Sequence, residues 1–343
     1  MGTLRLRLTG LAVAGLLLPL LSACGGTQPV NPVQTAMAAT LAARPLASPT
    51  PPALAPTDTP DLAVGPSGKI AYVCQYSERM GKNQICIINA DGSGQRVLTP
   101  GGNYDDYFPS VSPDGSSVLF VSNRTGRYQV YEVDVASGDV IPLTDLATDS
   151  AHAPEASPDN SHIVFYATHD GVGYPLSHNL WIAERDGSNP TQITHRAGGA
   201  WDPVWSPDGT RILFASEVDG APQLFMINAD GTDARQVTDF SGIRGRNDWS
   251  PDGVTLATYR GSSWEWDIYA FDADGENLRK LTDGLNNLAP SFSPDGLWIA
   301  FMSYRDHPRE DLGCEIYIMR VDGSDVRRLT DNDICDWQPR WGP

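Results

Sequence analysis

Six stretches of the chain concentrate acids, aromatic rings and amides at intervals of one sequence repeat. They read Asn103-Tyr104-Asp105-Asp106-Tyr107, Asp149-Ser150-Ala151-His152, Ala200-Trp201-Asp202, Arg244-Gly245-Arg246, Leu285-Asn286-Asn287 and Asp333-Ile334-Cys335-Asp336-Trp337. Carboxylates in such a set suit a hard cation such as calcium. Tyrosine and tryptophan are common anchors for a bound partner, and Arg244 and Arg246 oppose the acids. The candidate ligand or partner contacts are Asp105, Asp106, Tyr107, His152, Trp201, Asp202, Arg244, Arg246, Asn287, Asp336 and Trp337. The plainer reading is solvated loops in which Asp and Asn cap turns. The sequence contains neither Gly-x-Ser-x-Gly nor His-Glu-x-x-His, and its six histidines fall at unrelated places in the repeats. No catalytic residue, resident cofactor or metal is therefore expected.

The elements that must position these stretches are set by an internal repeat. Ser-Pro-Asp-Gly occurs at Ser112–Gly115, Ser206–Gly209, Ser250–Gly253 and Ser293–Gly296. Ser157-Pro158-Asp159-Asn160 is a near copy and Gly65-Pro66-Ser67-Gly68 a weaker one. Successive prolines are 47, 45, 49, 44 and 43 residues apart. Serine at the first turn position, proline at the second and a left-handed glycine at the fourth describe a tight hairpin with a bulge, so these serines read as turn residues, not nucleophiles.

Each turn leads into an apolar strand, then a second strand with a large or aromatic centre. A turn such as Asp91-Gly92 or Asp230-Gly231 follows, then a third strand ending in an apolar residue and Thr, as in Leu98-Thr99 and Val237-Thr238. A short strand carrying Pro109, Pro154, Pro203 or Pro290, with Asn247 in the fifth repeat, precedes the next turn. Four short antiparallel strands per repeat, without a helical segment between them, predict an all-β, six-bladed β-propeller over residues 63–343. The first repeat lacks its leading strand; Gln338 to Pro343 matches Phe108 to Pro113 and is expected to supply it, closing the ring and removing a free edge.

Trp205-Ser206-Pro207-Asp208-Gly209 and Trp249-Ser250-Pro251-Asp252-Gly253, followed by the apolar strand, Asp-Gly and Leu-Thr, resemble the repeats of TolB-type propellers, and the resemblance covers residues 65–343. It implies the fold and a site at the channel mouth, where loops enter the innermost strands. TolB itself carries an additional α/β domain before its propeller, so the resemblance is to the module. The acids, aromatics and amides of the mouth, without a catalytic motif, lead to the expectation of a non-catalytic binding or scaffold lipoprotein of the cell envelope recognising a protein, peptide or envelope polymer. Some propellers of related sequence are metal-dependent polysaccharide lyases, which keeps an enzyme acting at the same mouth as the alternative.

The first residues point to an address. Arg5 and Arg7 precede an apolar run from Leu11 to Leu21, too short to span a bilayer and fitting a secretory signal. It ends in Leu21-Ser22-Ala23-Cys24, which resembles the bacterial lipoprotein signal. That implies cleavage after residue 23, lipidation of Cys24 and an extracytoplasmic protein held to a membrane by its lipid alone. Residues 24–62 are rich in Pro, Ala and Thr and read as a disordered tether. A net charge of −18 argues against nucleic acid as a partner, and a monomer is expected.

Four further cysteines, Cys74, Cys86, Cys314 and Cys335, permit two disulfides in three connectivities. In the repeat template Cys74 and Cys86 fall on paired strands, and Cys314 and Cys335 lie at the same end of the sixth repeat, which favours Cys74–Cys86 and Cys314–Cys335. No Cys-x-x-Cys spacing suggests zinc.

Overall fold

The computed structural model describes residues 65–75, 82–147, 149–169, 177–308 and 313–343. The signal segment 1–23, Cys24 and the tether 24–62 lie outside the described residues.

Six four-stranded antiparallel sheets follow one another. The first holds β1 (Lys69–Gln75), β2 (Asn83–Asn89) and β3 (Arg96–Val97), and the second β4 (Asp106–Val111), β5 (Ser117–Ser122), β6 (Gln129–Asp134) and β7 (Val140–Pro142). The third comprises β8 (Asp149–Ala156), β9 (His162–His169), β10 (His178–Glu184) and β11 (Thr191–Gln192). The fourth comprises β12 (Trp201–Trp205), β13 (Arg211–Val218), β14 (Ala221–Asn228) and β15 (Arg235–Gln236). The fifth holds β16 (Asp248–Trp249), β17 (Thr255–Ser262), β18 (Glu265–Asp272) and β19 (Arg279–Lys280). The sixth holds β20 (Asn287–Phe292), β21 (Trp298–Ser303), β22 (Glu315–Arg320) and β23 (Arg327–Arg328). β24 (Asp336–Gly342) then pairs with β1, with Trp341 opposite Ile70 and Asp336 opposite Cys74, so the first sheet has the order β24-β1-β2-β3. Among the described residues there is no helix.

Two side-chain devices recur, the first in five of the blades and the second in all six. In the Ser-Pro-Asp-Gly turns the glycine N–H donates to the serine carbonyl, at 2.9 Å in Gly115→Ser112 and 2.8 Å in Gly253→Ser250. The glycines are left-handed, φ +69° at Gly115 and +71° at Gly253, and Asn160 takes the same place at +57°. The serine Oγ then accepts the first N–H of the next strand, as in Ser117→Ser112 at 3.0 Å and His162→Ser157 at 2.9 Å. The aspartate receives further donors: Asp114 bonds Ser112 Oγ and both the N–H and Oγ of Ser116, which hold its carboxyl down at about 2. The threonine two residues past the end of each outermost strand accepts the N–H of a residue fourteen positions earlier. The pairs are Ile85→Thr99, Val130→Thr144, Leu180→Thr194, Leu224→Thr238, Ile268→Thr282 and Ile316→Thr330, all at 2.8–2.9 Å.

Apolar side chains of adjacent blades interlock, giving each interface its own layer. Ala71, Val73 and Ile85 pack on Val118, Phe120 and Tyr131 between the first two blades. Ile70, Tyr72 and Trp341 pack on Trp298, Ile316 and Ile318 between the first and the sixth, which closes the ring. Both expected disulfides, Cys74–Cys86 and Cys314–Cys335, are formed and belong to that closing layer.

Candidate functional site at the channel mouth

The innermost strands, β4, β8, β12, β16, β20 and β24, share a feature that determines what reaches the central channel. The residue before Pro109, Pro154, Pro203, Pro290 and Pro339 has a left-handed backbone: Phe108 (φ 53°), Ala153 (45°), Asp202 (50°), Ala289 (52°) and Gln338 (51°). Arg246 (59°), before Asn247, completes the ring. A residue preceding proline normally prefers extended backbone, so this conformation is strained and is held in place by the sheet around it. The pairing register shifts there, between Tyr107 and Ser110 and between His152 and Glu155 for example. Such bulges re-aim side chains.

Below the mouth the re-aimed side chains meet across the axis. Arg246, from the fifth blade, donates through Nη2 to the Gln338 carbonyl at 3.3 Å and the Pro109 carbonyl at 3.4 Å, the latter in the opposite blade. Arg340, from the first blade, lies 3.1 Å through Nη1 from Asp248 Oδ1 and 3.7 Å through Nη2 from Glu155 Oε2. Gly245 lets Asp202 join them: a Cβ on that glycine would lie 1.6 Å from Asp202 Oδ2. Three carboxyl and two guanidinium groups thus meet in the channel. Burial pushes Glu155 up to about 8 and raises Asp202, each opposed by Arg246 and Arg340. Burial and the neighbouring Arg340 bring Arg246 down to about 9. Burial works against the charge of Arg340 too, but Asp248, Glu155 and Asp202 outweigh it and hold the group above its ordinary value.

Above this plug runs an arc of half-buried rings. Trp337 meets Tyr107 edge-on at 5.7 Å, and Tyr107 meets Tyr128 at 6.0 Å. Tyr128 meets His152 at 5.5 Å, and His152 stacks on Tyr166 at 5.1 Å. Tyr166 stacks on His178 at 5.4 Å, and His178 meets Trp201 edge-on at 6.4 Å. Burial, and after it the neighbouring His178, lower His152 to about 4, so it is neutral at ordinary pH. Tyr107 is pushed up to about 12 by burial and Asp105, and its hydroxyl accepts from Asn83 Nδ2 at 2.7 Å.

The eleven residues marked out by the sequence therefore divide. Tyr107, His152, Trp201 and Trp337 belong to the arc. Arg244 is exposed beyond the end of the arc, its guanidinium 5.4 Å from the Trp266 ring. Asp202 and Arg246 belong to the plug below. Asp105 is bound by Lys82 at 2.9 Å and by the Asn83 N–H at 3.1 Å. Asp106, Asn287 and Asp336, read as mouth contacts, are instead fully buried. Each begins an inner strand with its side chain turned back into its own blade: Asp106 accepts from Arg124 Nη2 at 3.2 Å, Asn287 Oδ1 from Ser303 Oγ at 2.8 Å and Asp336 from Asn332 Nδ2 at 2.8 Å. The sequence reading missed Tyr128, Tyr166 and His178 in the arc and Glu155, Asp248 and Arg340 in the plug. Stacking the six repeats carries a signal for the last three, since all occupy the position just after the inner-strand proline or its Asn247 equivalent. Among the described residues no three His, Cys, Asp or Glu side chains are grouped so as to hold a metal ion.

Comparison with known proteins adds the following. Residues 63–172 and 145–312 match the family described as the TolB beta propeller domain. An uncharacterized protein of Agrobacterium fabrum is 30% identical over 156 residues, 46% of this chain and 50% of the relative. The Tol-Pal system protein TolB of Bordetella pertussis is 31% identical over 159 residues, 46% of this chain and 34% of the relative. The chain thus spans half or less of the length of these curated relatives. The crystal structure of TolB from Acinetobacter baumannii superposes with a TM-score of 0.68 at 24% identity, covering 80% of this chain and 67% of that one. An oligogalacturonate lyase in complex with manganese shares the fold more distantly, with a TM-score of 0.52 at 19% identity over 78% of this chain and 74% of that one.

Proposed function

Since the chain belongs to the TolB beta propeller domain family, we propose that it is a non-catalytic binding module of the bacterial cell envelope. It is held outside the cytoplasm by a lipid on Cys24 and captures a protein, peptide or envelope polymer at the channel mouth. The observation that carries this reading is the aromatic arc lying over a channel filled by its own ion pairs. A mouth closed below is a shallow cup that takes a partner's surface, and aromatic rings rich in contact area at low entropic cost are the common anchors of such surfaces. The lyase alternative calls for converging metal ligands, and none are grouped among the described residues.

The test places a photo-crosslinking amino acid at Tyr107, at Trp337 and, as control, at Ser161 in a turn on the opposite face of the ring, in cells carrying the full chain. Adducts of defined mass at the two mouth positions and none at Ser161 are expected. Equal labelling at all three would overturn the reading. Fractionation of a Cys24→Ser variant checks the anchor: the wild type should pellet with membranes and the variant should not.

A further inference from the structure

A half-open depression of about 430 Å³ lies between the fifth and sixth blades, lined by Trp264, Glu265, Asp267, Lys280, Asp283, Leu285, Asn286 and Tyr304 among others. Its walls come from β18, β19, the turn before β18 and the stretch Leu285-Asn286 that leads into the inner strand β20, on the fifth- and sixth-blade side, away from the aromatic arc of the first four blades. Two large apolar side chains stand in water here: Trp264 is 44% exposed and Leu285 51%. Trp264 meets Tyr304 edge-to-face at 5.4 Å, which fixes one aromatic wall. Leu285 and Asn286 are both left-handed, φ 68° and 60°, a costly state for leucine, and the result is a leucine displayed at the rim. Asn286 is only 7% exposed, and its Oδ1 has no hydrogen-bond partner among the described residues. Its position keeps the rim loop pinned beneath the displayed leucine.

The charges around the depression are unbalanced. Lys280 is shared by Asp267 at 3.0 Å and Asp283 at 2.7 Å, so with Glu265 one cation stands against three carboxylates and the rim is acidic, the Asp283 side chain being 99% exposed. An acidic rim beside exposed apolar walls complements an apolar side chain with a cationic neighbour.

We infer that this depression is a second binding site, taking a peptide segment that presents an aromatic or aliphatic side chain next to a lysine or arginine. The apolar side chain sits between Trp264, Tyr304 and Leu285. The cation faces Asp283 and Glu265. The site does not depend on the mouth reading, and mouth variants serve as its control.

The test uses the full-length protein in detergent and a fluorescein-labelled probe, Gly-Ser-Lys-Phe-Lys-Ser-Gly, followed by anisotropy. Saturable binding is expected, weakened about tenfold or more by Trp264→Ala and by Asp283→Lys, and unchanged by Trp337→Ala. Probes with both lysines replaced by glutamate, or with phenylalanine replaced by serine, should bind at least about tenfold more weakly. Absence of saturable binding, equal binding of either control probe, or loss of binding in the Trp337→Ala protein would each overturn the inference. Asp283 is fully exposed, so its variant keeps the test decisive should the tryptophan variant lose its fold.

Discussion

At the scale of single residues, the channel plug carries a pH signature. Glu155 has an ordinary value of 4.5 in an unfolded chain and about 8 in the folded protein, with burial as the main cause. Between those values the folded protein keeps a proton that the unfolded chain has released. The stability from this group is therefore fully present below about 4.5 and is lost as pH rises through about 8. His152 works in the opposite sense, but its window closes near 6.5, its ordinary value. Thermal unfolding between about pH 6.5 and 8.5 thus separates the two. The wild-type midpoint is expected to fall across that interval, and that of Glu155→Gln to fall less and to exceed the wild type at the alkaline end. Equal slopes in calorimetry would show that another group controls the interval. Arg340 anchors the same cluster through its ion pair with Asp248 at 3.1 Å, and a partner removed from a buried ion pair typically costs about 3–5 kcal/mol. Arg340→Ala should accordingly shift the urea midpoint further than any variant of the mouth arc.

At the scale of strands and turns, the repeat was legible because each of its letters performs one local task. Ser-Pro-Asp-Gly specifies a hairpin whose hydrogen bonds all lie within a few residues, so a single copy suffices to recognise it. The Leu-Thr ending was legible as a landmark but not as a bond, because its partner lies fourteen residues earlier across a pair of strands. Thr238 is representative: its Oγ1 accepts the Leu224 N–H at 2.9 Å and donates to Gln223 Oε1 at 2.7 Å. Thr238→Val keeps the shape and removes both bonds, and is expected to cost about 1–3 kcal/mol in urea unfolding; a shift under about 0.5 kcal/mol would show that the blade does not use them. The mouth was legible only in part. Asp106, Asn287 and Asp336 have the composition of ligand contacts, but strand alternation and the bulge that follows decide which way a side chain turns, and neither is visible without the register.

At the scale of the whole molecule, the number of blades and the closing strand were both legible, since turn spacing counts the blades and Gln338 to Pro343 repeats Phe108 to Pro113. The charged plug was not, because Arg340, Glu155 and Asp248 come from alternate blades and meet only once the ring is formed. The disulfides follow the same geography. Cys314–Cys335 closes a separation of 21 residues and ties the approach of β24 to the sixth blade, whereas Cys74–Cys86 spans 12 within one hairpin. Replacing both members of the larger bridge by serine should cost about 2–4 kcal/mol and exceed the effect of the same change at Cys74 and Cys86. Urea midpoints of the two double variants check the order.

The pairing of β24 with β1 also governs how the protein is born. β1 waits without β24 while five more blades are synthesised. A chain halted anywhere before Asp336 leaves the inner edge of β1 and the apolar layer around Ile70 and Trp298 in water. A truncated product thus carries an open strand edge and a wet apolar layer, the two features that invite aggregation, and the last seven strand residues cover both.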